Sequence, residues 1–499
     1  MDFRPTRAAL HAGAQALLIF LVCAAAFDRL LHQHVALMDP DALYHYKMSA
    51  LILQEGPWVD VSWLPFTVLG DHGTDHHWLF HLLVSPLTLM GRDFDAVTLA
   101  AALVGAMVPA ALFVMLRRAQ VPWPWLFALA AVLASDLMPA RLLMLRTQNL
   151  AILLMVASLF ALCAHRRLAV GILAFLFMQS YHGAVIMAVL AAAALGSQLA
   201  LERRVDLKPA SAAVIGTAAG LVASPWFPDN VGYLVFHTFF KVATGLPHLV
   251  GNEWYRVPLD LLVTESLPSH LLLLSGVVAV IAAPRNDAAP KLGVDTLAFL
   301  ATTALFLVMY HFAWRFAEYY SPFAVVSSAL LWRDAIRRRP FAGLARAALP
   351  AVLGVLIAWG LYAGAGRMEG GMRYRFGYYS EMMREVNARD PAPMVFNSSW
   401  PDFVRLFYWS DHARFVSGLD GHYLLYGSDV RKFQAWNAVV SGATSDRTDN
   451  ARLIRETFDA GWAVIPRRHA SIAASLARDP EATLVMENQD GWLFRIGAR

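Results

Sequence analysis

Apolar residues fall in blocks of about 20, the length needed to cross roughly 30 Å of hydrocarbon as a helix. The pattern predicts spans near 12–31, 95–116, 122–138, 147–165, 168–181, 184–201, 209–226, 268–284, 293–312, 318–334 and 343–365. The polar connections alternate in character. One set carries the basic groups Arg117-Arg118, Arg166-Arg167, Arg203-Arg204, Arg285 with Lys291, and Arg337-Arg338-Arg339. Short basic loops stay in the cytoplasm, so these connections, with Arg4 and Arg7, are expected inside. The other set is longer and richer in acids, histidines and aromatics: 32–94, 136–146, 227–267 and the turns near His182 and His311. About eleven spans put the N-terminus inside and the tail outside. The expected protein is therefore a multi-pass resident of an inner (plasma) membrane with its loops gathered on the periplasmic face.

Two weaker signals modify this outline. Trp78 to Gly91 is apolar but too short to span and reads as an interfacial helix, as does Phe227 to Thr244. From about 370 the pattern changes. Met394–Phe396, Phe415–Val416, Trp462–Ile465, Thr483–Met486 and Trp492–Ile496 read as strands, with helices near 378–389, 430–440, 448–460 and 468–478. Gly461 is expected to cap the third helix, and Asp490-Gly491 to turn a hairpin. The domains expected are thus 1–367, transmembrane with a large first external loop 32–94, and 368–499, a small α/β domain outside the membrane.

Composition agrees. Of 499 residues, 58% are hydrophobic and 16% charged, with mean hydropathy +0.47, a balance of the membrane class. The net charge of +4 comes from scattered loop arginines, so a nucleic-acid partner is not expected. Cys23 and Cys163 lie inside apolar blocks and read as packing residues. No cleavage site follows the first apolar block, which is taken as the first transmembrane helix.

Candidate chemistry sits in the external loops. Asp39 and Asp41, just beyond the first span, can hold a divalent cation or serve as a general base, although acids at a helix start are also favoured by its dipole. Asp71-His72-Gly73-Thr74-Asp75-His76-His77 offers further ligands, with a solvated turn as the plainer reading. Arg141 and Arg146 lie on the face where basic residues should be scarce, which points to an anionic ligand or to lipid phosphate. Glu253 stands beside Trp254, and Glu265 lies in Thr264-Glu265-Ser266. Arg315 at the outer end of a span needs a partner, either a phosphate or Glu318 three residues on.

Asp41 through Lys47 resembles the Asp-x-x-Tyr-His-x-Arg stretch after the first transmembrane helix of archaeal oligosaccharyltransferase catalytic subunits, with Lys47 in place of the arginine. Arg315-Phe316 resembles that family's arginine for lipid pyrophosphate, and Thr264-Glu265-Ser266 its acceptor-binding glutamate motif. Trp400, Asp402 and Phe403 look like a degenerate copy of its Trp-Trp-Asp-Tyr-Gly signature. Together the features resemble the GT-C superfamily of membrane glycosyltransferases. The resemblance implies a GT-C-like α-helical fold and transfer of a sugar or glycan from a polyprenyl-phosphate or -pyrophosphate carrier to an extracytoplasmic protein, lipid or polysaccharide. It implies Asp41 with Asp39 as catalytic residues, Arg315, Arg141 and Arg146 on the donor phosphate, and Glu253, Glu265, Trp400 and Asp402 on the acceptor. Asp41, Asp136 and His76 are candidates for a divalent cation, Mg or Mn. A ligase joining a lipid-linked glycan to another lipid or polymer is the rival enzyme. A transporter or flippase is the rival of another class, disfavoured by spans nearly free of charge and without inverted repeats.

Overall fold

A computed structural model describes residues 7–33, 35–133, 135–240, 249, 251–283, 292–338, 344–444 and 449–497. The expected cytoplasmic residues Arg4, Arg285, Lys291 and Arg339, and the end of the interfacial stretch at 241–244, lie outside them. The chain divides into two compact units: Met1–Ala42, His77–Ala223 and Asn252–Arg373 in one, Leu43–His76, Ser224–Gly251 and Tyr374–Arg499 in the other.

The first unit is helical. Its main helices are α1 (Arg7–Leu31), α2 (Phe94–Arg118), α3 (Pro124–Leu133), α4 (Gln148–Cys163), α5 (Arg167–Ser180), α6 (Ala184–Glu202), α7 (Leu207–Val222), α8 (Leu267–Ala282), α9 (Val294–Phe312), α10 (Ala317–Arg338) and α11 (Leu344–Gly371). Each expected apolar block holds one of them. Among the described residues, five helices can cross a membrane by length and hydropathy: the Leu10–Leu31 part of α1, α2, the Val185–Glu202 part of α6, α9 and the Leu349–Gly371 part of α11. A sixth results if Leu259–Glu265 and α8, bent by 75° at Ser266, count as one broken span. Several others are apolar helices of 10–17 residues.

The expected span 122–138 is interrupted for a local reason. Ser135 Oγ accepts from the Leu137 amide, and the five-residue helix Met138–Leu142 starts afresh with Pro139 in its first turn, where no amide is needed. Close approach of backbones holds the bundle together. A Cβ on Gly216 of α7 would stand 2.1 Å from the Gly171 carbonyl oxygen of α5, and one on Gly105 of α2 would stand 2.5 Å from that of Leu142. At the far end of α10, buried Arg333 forks onto Asp295 at 2.7 and 2.9 Å and onto Asp334 at 2.9 Å. Asp334 also accepts from the Thr296 hydroxyl at 2.6 Å, so the start of α9 is pinned to the end of α10.

The second unit is built on a five-stranded sheet of β1 (Met394–Asn397), β2 (Arg414–Phe415), β3 (Trp462–Pro466), β4 (Ala482–Asn488) and β5 (Gly491–Ile496), in the order β2-β1-β3-β5-β4. β1 runs parallel to β2 and β3, while β5 is antiparallel to both β3 and β4. β1 and β3 are buried along their whole length, as strands covered on both faces must be, and apart from Asn397 at the end of β1 they read as apolar runs. Phe396, Val416, Leu424, Trp436, Ile454 and Phe458 form the core beside them. The helix Asn450–Phe458 ends on Asp459 in the left-handed region (φ 55°), and not on Gly461 as its glycine suggested. The hairpin turn falls one residue early, on Gln489-Asp490, because Gly491 already pairs with Asn488.

Residues 43–76 belong to this unit. Lys47, where the resembling pattern has arginine, is buried. Its ammonium lies 4.3 Å from the Phe407 ring centroid and donates to the carbonyls of Phe407, at 2.6 Å, and of Ser410. It thus closes the exposed carbonyl end of the helix Phe403–Trp409.

Candidate active site

Pro40 disfavours a helical Asp39 and sets it just ahead of the helix Asp41–Glu55, whose first residue is Asp41. Arg141 ends the helix Met138–Leu142, and Arg146 lies in the loop that follows. That loop is held from below: the Asn149 amide of α4 donates to the carbonyls of Leu142 and Met144 at 3.1 and 3.2 Å, and the Thr147 hydroxyl to that of Ser180 at 2.6 Å. Glu253 sits in the 3-10 turn Asn252–Trp254 and Arg315 in the turn Trp314–Phe316. Backbone bonds from Trp314 N to Tyr255 O (3.1 Å) and from Val257 N to His311 O (3.0 Å) zip these two segments together.

The side chains meet. Arg146 binds both oxygens of Asp39, reaches Asp41 at 2.8 Å and reaches Glu253 at 3.1 Å. Glu253 in turn meets Arg141 at 3.4 Å and Arg315 at 3.3 Å. Arg141 also lies 3.8 Å from Glu318. The Arg315 guanidinium stands over the Trp254 ring, 4.7 Å from its centroid. Arg315 therefore pairs across the chain with Glu253 and not with Glu318 three residues on.

Burial works against charge on Arg146, but Asp39, Asp41 and Glu253 outweigh it and hold the guanidinium well above its ordinary pKa. Burial opposes charge on Arg315 too, and Glu253 leads the groups that raise it. Four carboxyl groups and three guanidinium groups share this network. Buried Arg315 Nε and Glu318 Oε1 have no hydrogen-bond partner among the described residues, and such atoms are costly unless a ligand or water completes them.

Of the remaining candidates, Glu265 and Asp136 belong to the first unit and His76, Trp400 and Asp402 to the second. Glu265, at the corner between Leu259–Glu265 and α8, accepts from Arg367 at 2.7 Å and from the Tyr310 hydroxyl at 3.1 Å. The Asp136 amide donates to the Glu265 carbonyl at 3.0 Å. Burial raises the Asp136 carboxyl pKa, Arg367 opposes the rise and Glu265 adds to it. In the second unit, the His76 ring lies tilted against that of Tyr233, centroids 4.6 Å apart, and hydrogen-bonds the Tyr233 hydroxyl at 3.2 Å. Asp41, Asp136 and His76 thus stand in three different settings, and among the described residues neither Asp41 nor Asp136 joins a set of three converging His, Cys, Asp or Glu ligands. Trp400 packs against the core of the second unit, and buried Asp402 is held by Arg405, Arg468 and the Tyr379 hydroxyl, the last at 3.0 Å.

An apolar cavity of about 230 Å³ lies between α1, the helix Trp78–Val84, α2 and α4, lined by Phe20, Phe80, Leu103, Met107 and Leu150. The residue that supports the arginine loop, Asn149, lies on its wall.

The chain superimposes on ArnT from Cupriavidus metallidurans in the apo state over 97% of both chains, with a TM-score of 0.58 at 15% identity. It has the GT-C fold. The same architecture matches the arabinofuranosyltransferase AftD from Mycobacteria with a TM-score of 0.55 at 15% identity, over 96% of this chain and 41% of AftD. No protein-family model and no curated protein matches the sequence. The GT-C likeness is one of fold, and it accounts for the mainly helical chain with a small carboxyl-terminal sheet.

Glu253 and Glu265 lie in the same loop, and no local pattern separates them as partners of the arginines. The tryptophan beside Glu253, now under Arg315, was the available signal. Asn149 carried none, since one amide in an apolar helix reads as packing.

Proposed function

We propose that this protein is a membrane glycosyltransferase that moves a sugar or glycan, with inversion, from a polyprenyl-phosphate or -pyrophosphate carrier to an acceptor outside the cytoplasm. The observation that carries the reading is the network in which Glu253 joins Arg141, Arg146 and Arg315, with Asp41 on the same Arg146. Both structural neighbours are GT-C glycosyltransferases, and the apolar cavity beside the arginine loop suits an isoprenoid chain.

In this mechanism the acceptor hydroxyl or amide gives its proton to Asp41 and attacks the anomeric carbon. The carbon–oxygen bond to the carrier phosphate breaks, and its electron pair leaves on the phosphate oxygen. Arg315, Arg141 and Arg146 stabilise the charge that develops there, at a site already shielded from water. Glu253 holds the three guanidinium groups together until the phosphate competes for them. Glu265, Trp400 and Asp402 act on the acceptor side. Among the described residues Asp41 belongs to no set of three converging His, Cys, Asp or Glu ligands.

The test uses protein in lipid nanodiscs, a radiolabelled polyprenyl-phosphate sugar and cell-envelope extract as acceptor. Asp41→Ala and Arg315→Ala are each expected to slow transfer by about 10²-fold or more. Transfer at the wild-type rate by both variants would overturn the assignment.

A further inference from the structure

The sheet of the second unit carries a second cluster of charged groups, of which only Asp402 figures in the transfer step. From β1 the chain crosses to β2 on one side, then returns to β3 on the other. In parallel α/β sheets the crevice at such a reversal, outside the carboxyl ends of the strands, is where ligands sit. Here those ends are Asn397, the last residue of β1, with Ser398-Ser399 after it, and Arg467-Arg468-His469 after β3. They bond across the crevice: Ser398 to His469 at 2.9 Å, and Arg468 to Ser399 and Asp402.

The β4–β5 turn lies at the same edge, since Gly491 pairs with Pro466. Its Asp490 binds Arg375 and accepts from the Tyr379 amide at 2.8 Å, while the Tyr379 hydroxyl donates to Asp402. The Arg405 guanidinium stands 5.2 Å and that of Arg375 5.5 Å from the Tyr378 ring centroid. Three guanidinium groups thus face two carboxylates, one positive charge in excess. Arg468 uses its bonded nitrogen inward and keeps 49% of its side chain exposed; Arg375 keeps 41%. A purely structural ion pair does not need an exposed guanidinium edge beside aromatic faces at a strand-end crevice. An oxyanion, carboxylate or phosphate, next to a sugar ring does.

We propose that this crevice binds the acidic group, phosphate or carboxylate, of an acceptor saccharide, with Arg468 as its principal contact and Ser399 and Asp402 as the residues that aim it. The inference rests on the glycosyltransferase reading for the word acceptor, and its test is independent of transfer.

The measurement is calorimetric titration of the full-length protein in nanodiscs with glucose 6-phosphate, glucuronate, glucose and inorganic phosphate. At least one acidic sugar should bind about tenfold or more tighter than glucose, and which one does tells phosphate from carboxylate. Arg468→Gln should weaken that binding by about tenfold or more, with part regained in Arg468→Lys. Asp41→Ala should bind as wild type does while failing in transfer, so loss of either reading is seen separately. Equal affinity for glucose and both acidic sugars would overturn the proposal, as would Arg468→Gln binding like wild type or binding of inorganic phosphate alone. Should Arg468→Gln not fold, Ser399→Ala, which keeps every charge, should still lower affinity a few-fold, and an unchanged affinity would overturn the proposal equally.

Discussion

Asp39 and Asp41 are two residues apart in sequence and differ sharply in setting. Asp39 is 4% exposed with both oxygens on Arg146, whereas the Asp41 side chain is 39% exposed with Arg146 at 2.8 Å. The first arrangement is a buried two-bonded pair, so Asp39→Asn loses charge-assisted hydrogen bonds worth about 1.5–3 kcal/mol, although Arg146 keeps Asp41 and Glu253. The second leaves a carboxylate within reach of a substrate. Asp39→Asn is therefore expected to lower the thermal midpoint of the purified protein by several degrees, and Asp41→Asn to leave it near wild type while transfer falls. A scanning thermal melt beside the transfer assay separates the two, and equal melting losses in both variants would sink the distinction. The motif itself was legible, because acids just past an apolar block announce a loop at the membrane face. The division of labour was not, because it depends on an arginine 105 and 107 residues away, a separation no local pattern encodes. Lys47 shows the same limit: its identity suggested a substitute for an arginine, and its carbonyl partners come from residues 407 and 410.

At the scale of elements, the apolar periodicity located the helices and strands well, since burial on a lipid-facing or two-faced site leaves long apolar runs. It erred where backbone chemistry intervened. Asp459 takes the left-handed cap before Gly461 is reached, and Ser135 with Pro139 breaks the third apolar block. It also gave no view of which helices touch. The contact of Gly105 with the Leu142 carbonyl fixes α2 against the loop that carries Arg141 and Arg146. Gly105→Ala forces that carbonyl away, so transfer should drop about tenfold or more with loss of arginine placement. Gly216→Ala crowds the Gly171 carbonyl between α5 and α7 instead, so it should destabilise the bundle by about 1–3 kcal/mol with the rate per folded molecule retained. Assay of both variants at matched folded concentration checks this, and transfer unaffected by Gly105→Ala would show that the loop tolerates movement.

For the whole molecule, orientation decides which substrates are within reach. Lipid-linked donors and envelope acceptors are met outside the cytoplasm, while nucleotide-linked sugars are met inside it. The basic connections Arg117-Arg118, Arg166-Arg167 and Arg203-Arg204 all join helices at ends opposite the loops that carry Asp41, Arg146 and Arg315, if α1 to α11 alternate across the bilayer. Positive residues resist translocation, so those connections should stay inside, and the arginine network with the residues after α11 should face out. In a Cys23→Ala, Cys163→Ala background, a single cysteine at exposed Arg431 reports the carboxyl-terminal domain and one at exposed Arg204 reports a basic connection. A membrane-impermeant maleimide added to spheroplasts should label Arg431→Cys and spare Arg204→Cys until the membrane is opened. The opposite pattern would put Asp41 and Arg315 in the cytoplasm, where a polyprenyl donor presented on the outer leaflet cannot reach them, and the choice of donor would have to move to a cytoplasmic one even though the fold stayed the same.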